Sequence, residues 1–350
     1  MKKGLVLEGG AMKGSYQIGA YYAFRKCGIR FKGYAGTSIG AFNAAMLAVG
    51  KHKELLEFWT TIESGKLLGA DEKLIEAINY DRNDVVKLLT GSYDTLKKWI
   101  KNKGIPVDII KKEVSKYLDA EKLINNKIDY GLVTVKLKGL KPIYVTKEDI
   151  TPEQLLDYIQ ASSYLPIFKM EKIIDNNIYI DGGFYDNSPT KILLDKDYDK
   201  IYNIGVNAPG LIRKLTKKEQ EKIIDIYPSR NICKVMEMNH DQIRENIQLG
   251  YYDTLRAIKN YDGYKYTYRR KSSDWYERKT KNITAKELKR VKTFFDAKNT
   301  KEAVIKAVEY LSEKKYYDYY QTQDINKVIK KLKKSGYKEH FVYTFITKLK

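Results

Sequence analysis

Histidine and cysteine are scarce in this chain, with only His52, His240 and His340 of the one and Cys27 and Cys233 of the other. Two cysteines cannot build a disulfide framework, and their spacing fits no metal-ligand pattern, so both are expected to lie reduced inside a fold. Long apolar runs are missing too. The longest, from Ile39 to Val49, is broken by Asn43 and is too short to span a bilayer. Lys2 and Lys3 are followed by Glu8 and glycines where a signal peptide needs an uninterrupted apolar core, so the chain is expected in a cytoplasm. Acids fall short as well: 44 Asp and Glu face 65 Lys and Arg, a net charge of +21. The excess is mostly lysine dispersed among Ile, Asn and Tyr, which reads as a solvated surface rather than a nucleic-acid footprint. Peripheral contact of that basic surface with an anionic membrane remains open.

What is present suits one large α/β domain with a smaller appendage. Leu5-Val6-Leu7 reads as a buried strand running into Gly9-Gly10, and residues 14 to 27 as a helix closed by Gly28. Tyr34-Ala35 is a second short strand, followed by a helix from Ser38 to about Val49 whose small residues let it lie close to a sheet. Strand, helix, strand, helix implies a parallel sheet with covering helices. Residues 51 to 125 read as mostly helical, 130–136 and 143–146 as an extended pair turning at Gly139, and Pro152 as the start of a helix ending near Ala161. Ile178 to Ile180 and Ile201 to Val206 are further strands. The expected hydrolase-type domain covers 1–260, and a helical C-terminal region covers 280–350.

Gly36-Thr37-Ser38-Ile39-Gly40 fits the G-x-S-x-G turn, which lifts a serine out of a sheet at a helix N-terminus. Its bland alternative is a serine that N-caps an ordinary helix. Gly9-Gly10-Ala11-Met12-Lys13-Gly14 lies at the equivalent turn after the first strand. It fails the dinucleotide fingerprint, which needs glycine at Ala11, and the phosphate loop, because Gly14 is followed by Ser15 and Tyr16. An oxyanion hole, or a tight turn of no chemical purpose, remains. The hydroxyl needs a base, and no histidine stands in a glycine-bounded loop after a strand. Asp181, at a strand end before Gly182 and Gly183, is the better candidate, though Asp-Gly is also a common turn.

These three pieces in order resemble the patatin-like phospholipases. Gly4-Leu5-Val6-Leu7, Ala161-Ser162-Ser163-Tyr164-Leu165-Pro166 and Asp186-Asn187-Ser188-Pro189 agree with that family, and Gln242 to Leu255 is more weakly similar. The likeness spans residue 4 to about 207. It implies a mainly parallel sheet covered by helices and a Ser38–Asp181 dyad without histidine. It also implies backbone oxyanion donors in Gly9 to Gly14 and a lipid acyl ester as substrate, of the phospholipase A or lysophospholipase type. No metal or cofactor is called for. Two departures stand out, Ala11 for the family's third glycine and Lys13 for its arginine; the first requires a loop conformation open to L-residues. A catalytically degenerate basic binding protein and an esterase for soluble esters are the competing readings.

From residue 325 the apolar Ile325, Val328, Ile329 and Leu332 form one helical stripe flanked by Lys327, Lys330, Lys331, Lys333 and Lys334. Such a helix either packs that stripe on its own domain or lies on an anionic bilayer.

Overall fold

The first strand, β1 (Lys3–Leu7), is buried on both faces, as the centre of a parallel sheet requires, and so is β2 (Gly33–Thr37). In the computed structural model, which describes residues 1–61, 108–165, 171–233, 239–336 and 340–350, the chain divides into two compact units, Met1–Tyr251 and Tyr252–Lys350. The first holds a sheet built from β1, β2, β3 (Asp129–Lys136), β4 (Lys141–Thr146), β6 (Lys200–Ile204) and β7 (Ile223–Ile226) in the order β4-β3-β2-β1-β6-β7. All neighbours are parallel except the β3–β4 hairpin. A short strand, β5 (Tyr179–Asp181), joins β3 off that path, and it runs antiparallel. The mainly parallel helix-covered sheet read from the sequence is the architecture found.

Helices follow the strands for local reasons. Ile39–Ala48 is nearly all small or apolar and almost wholly buried, so it lies tight under β1 and β2. Pro152–Ser162 starts where Thr151 and Gln154 form a reciprocal capping box with proline at the first helical position. His52–Thr61, Asp108–Tyr117 and Ala120–Asn125 are the described part of the polar helical stretch; residues 62–107 lie outside the described residues, as does Pro166. Both cysteines are free, but only Cys233 is buried; Cys27 is half-exposed, contrary to expectation, because it closes the helix Ser15–Lys26.

The second unit packs helices Ser273–Lys279, Ala285–Phe295, Thr300–Lys314, Ile325–Lys333 and Phe341–Lys348 around one apolar core. It begins at Tyr252, ahead of residue 260. A parallel pair, β8 (Thr267–Tyr268) and β9 (Thr322–Gln323), binds its early residues to later ones. Ile325, Val328, Ile329 and Leu332 are all in that core. Of the two readings of the stripe, packing on its own unit is the one adopted: it shares one core with Val308, Leu311 and Phe345 and leaves no apolar face for lipid. Among the described residues no helix is long and apolar enough to cross a membrane.

Candidate active site

Ser38 sits where β2 gives way to the helix Ile39–Ala48, with φ 56° and ψ −129°. That conformation is outside the regions open to most L-residues and costs on the order of 1–3 kcal/mol. Its surroundings enforce it. The Ser38 N–H donates to Ser162 Oγ at 2.8 Å, and that hydroxyl donates to the Val133 carbonyl at 2.7 Å. Thr37 Oγ1 donates to the Asp186 carbonyl at 2.9 Å. Glycine is needed on either side because the backbones touch. A Cβ on Gly36 would lie 2.2 Å from the Gly40 oxygen, and one on Gly40 would lie 2.2 Å from the Leu7 oxygen. The Ser38 side chain makes no capping bond to its helix, so the ordinary N-cap reading does not describe it.

Asp181 reaches this serine by a route the sequence did not suggest. A strand end in a parallel sheet was expected; instead β5 runs against β3, and the carboxyl ends of β2 and β5 meet head-on along β3. Thr37 pairs with Val133 and Asp181 with the next residue, Thr134. Thr134 Oγ1 bonds the Ala161 and Ile180 carbonyls at 2.9 and 3.1 Å, pinning that junction. Asp181 is 4% exposed. Its carboxylate accepts the Gly183 N–H at 2.7 Å and lies next to the Ser38 hydroxyl, which pulls its pKa down. Burial pushes its pKa up to about 6, against the pull of those two donors. Among the described residues no histidine bonds either group. His52 contacts the Gly50 carbonyl, His340 caps Phe341–Lys348, and His240 is exposed at the start of His240–Lys259.

The glycine-rich turn lies beside them. A Cβ on Gly9 would come 3.2 Å from Ser38 Cβ, and one on Gly14 would come 3.0 Å from Ile39. The segment Ala11–Gly14 is a 3-10 turn whose first bonded amide is that of Lys13, to the Gly10 carbonyl at 3.1 Å. The amides of Gly10, Ala11 and Met12 therefore have no acceptor within the turn. The Gly9 N–H is taken by the Asn187 carbonyl at 3.2 Å, so Gly9 is not a free donor. Ala11 takes φ 46°, a left-handed conformation that L-residues enter at some cost, so the comfortable loop expected at this position is not the one adopted. Lys13 Nζ reaches the Asn207 carbonyl at 2.9 Å, and burial lowers its pKa against the opposing fields of Cys233 and Glu8.

Sequence reasoning missed Glu8. It is fully enclosed, accepting from the Val206 N–H and, at 3.2 Å, from Asn187 Nδ2, which also donates to the Gly9 carbonyl at 3.1 Å. Burial pushes its pKa up to about 7. An acid directly before two glycines at the end of an apolar strand was the available signal. Ser162 carries no local signal beyond its place in the Ala161–Leu165 run, and its grip on the Ser38 amide is visible only in three dimensions.

The family described as Patatin-like phospholipase matches residues 5–194. The Bacillus subtilis (strain 168) "Uncharacterized protein YqhO" is 28% identical over 247 residues, 67% of this chain and 80% of that protein. Among solved structures, VipD from Legionella pneumophila shares 15% identity at a TM-score of 0.47, over 99% of this chain and 83% of its own. Full-length ExoU of the Pseudomonas aeruginosa type III secretion system, in complex with SpcU, shares 12% at 0.37, over 99% and 70%.

Proposed function

Because the chain belongs to the patatin-like phospholipase family, we propose that it is a lipid acyl hydrolase of the phospholipase A or lysophospholipase type, working through Ser38 and Asp181. The observation that carries this reading is the hydroxyl of a strained turn serine set beside a buried carboxylate whose pKa burial pushes up to about 6. At neutral pH that carboxylate is charged and can take the hydroxyl proton as the serine oxygen attacks an ester carbonyl. The amides of Gly10, Ala11 and Met12 stabilise the oxyanion of the tetrahedral intermediate. Its collapse expels the alcohol, protonated by Asp181, and leaves acyl-Ser38. Water then attacks, giving its proton to the same carboxylate, and the fatty acid leaves as the serine is regenerated. The helix Ile39–Ala48 adds partial positive charge at the reacting oxygen.

The test is Ser38→Ala, assayed for fluorophosphonate labelling and for fatty-acid release from phospholipid. Both should vanish while the fold persists. Activity within about tenfold of wild type, some 1.4 kcal/mol of barrier, would remove Ser38 as nucleophile.

A further inference from the structure

The loop that follows β6 lies directly against the Asp181 turn. The Leu211 N–H donates to the Gly183 carbonyl at 2.9 Å, and the Leu211 carbonyl accepts the Asn187 N–H at 2.6 Å. The Leu211 backbone is thus engaged on both sides, yet the loop's side chains face water: Leu211 is 45% exposed and Ile212 49%. Tyr185, on the turn it pairs with, is 44% exposed. These are three of the six exposed large apolar side chains among the described residues of the first unit, gathered on two bonded loops beside the reacting serine. An apolar edge exposed beside a site marks a contact surface.

The charges next to it say what kind. Lys214, Lys217 and Lys218 are exposed, and none has a carboxylate within ion-pair distance among the described residues. The nearest acid in the chain, Glu219, is held by Arg213 at 2.9 Å and by the Thr216 cap. Apolar side chains at a tip with unpaired lysines behind them complement a surface that is anionic outside and hydrocarbon beneath. A folded acidic protein would satisfy the lysines but has no need of the aliphatic tip.

We infer that Leu211, Ile212 and Tyr185, backed by Lys214, Lys217 and Lys218, form a docking edge that seats the site on an anionic lipid surface. The edge enters the headgroup layer while its backbone keeps the Asp181 turn in register, so an acyl ester need only slide from the bilayer to Ser38. This rests on the lipid-hydrolase reading above.

The experiment separates the two. Sedimentation with phosphatidylglycerol–phosphatidylcholine vesicles is measured for full-length Ser38→Ala protein, alone and with Ile212→Asp or with Lys214→Glu/Lys217→Glu/Lys218→Glu. The charge reversals fall before or within the first turn of Lys217–Glu221, where acids are tolerated. Ile212→Asp should weaken partitioning at least tenfold. The triple variant should weaken it about a hundredfold at low salt, near fivefold for each lysine. Pure phosphatidylcholine vesicles should bind far less. With Ser38 restored, both variants should hydrolyse a monomeric short-chain ester within about twofold of wild type. Partitioning indifferent to both variants, or equal on the two vesicle types, overturns the docking edge even if the ester is cleaved. Lost ester activity in wild type overturns the hydrolase reading, whatever the vesicles show.

Discussion

Each compact unit buries an acid, Asp181 in the first and Glu309 in the second, and the company each keeps is different. Burial raises the pKa of both. Glu309 Oε1 answers that with three backbone donors, the amides of Tyr264, Lys265 and Tyr266 at 2.7, 3.0 and 3.0 Å. Its charge is spent closing a loop. Asp181 has one amide donor and a neighbouring hydroxyl, and the hydroxyl belongs to a strained serine. A buried carboxylate with three fixed donors is structural; one that shares a movable proton is available for chemistry. Desolvation alone therefore does not mark a base.

The largest expected effect breaks that comparison on the first side. Asp181→Asn should lower ester hydrolysis about a thousandfold, within the range for loss of a general base. His52→Ala, His240→Ala and His340→Ala should each retain activity. A loss beyond about a hundredfold in any of the three would replace the dyad with a conventional triad. Glu309→Ala breaks the comparison on the other side. It leaves three amides without their acceptor and should cost about 3 kcal/mol in denaturant melts, with turnover per folded molecule nearly unchanged.

A smaller effect sharpens the contrast through pH. Only the ionised form of Asp181 accepts the serine proton, so kcat/KM should rise with pH through about 6, close to tenfold per unit on the acid side. Stability moves the other way. A carboxyl whose pKa is raised on folding binds more protons folded than unfolded, so between 3.8 and about 6 its contribution falls as pH climbs. Asp181→Asn should flatten the pH dependence of the melting temperature in that window; an unchanged slope would argue against the raised pKa. Smallest of all is Ala11→Gly. Relief of the left-handed alanine, offset by the freer unfolded chain, should add about 0.5 kcal/mol and leave hydrolysis within a few-fold.

Much of the fold was legible because each element announces itself locally. Buried strands read as apolar runs, Pro152 as a helix start, and the alanine-rich 39–48 as a helix lying close to a sheet. The amphipathic stripe of 325–332 was equally legible, but not its destination. Periodicity says that a face must be covered, not by what, and the second unit's own core covers it. β7 was missed because a four-residue edge strand carries too few alternating positions to stand out.

The sequence by itself determined which residues stand as candidates for the chemistry: a serine with glycines two positions to either side, a glycine-rich turn after the first strand, and an acid before two more glycines. Those requirements are steric and chemical within a few residues, so they leave a local trace. Only the tertiary structure decided that Asp181 meets Ser38 from the opposite direction, that Ser162 holds the serine amide, that Asn187 ties Glu8 to the glycine turn, and that Leu211 closes the Asp181 turn from outside. Each of these is a contact or strand pairing between segments remote in the chain. Strand register is set by the packing of the whole sheet, so no short stretch of residues carries it.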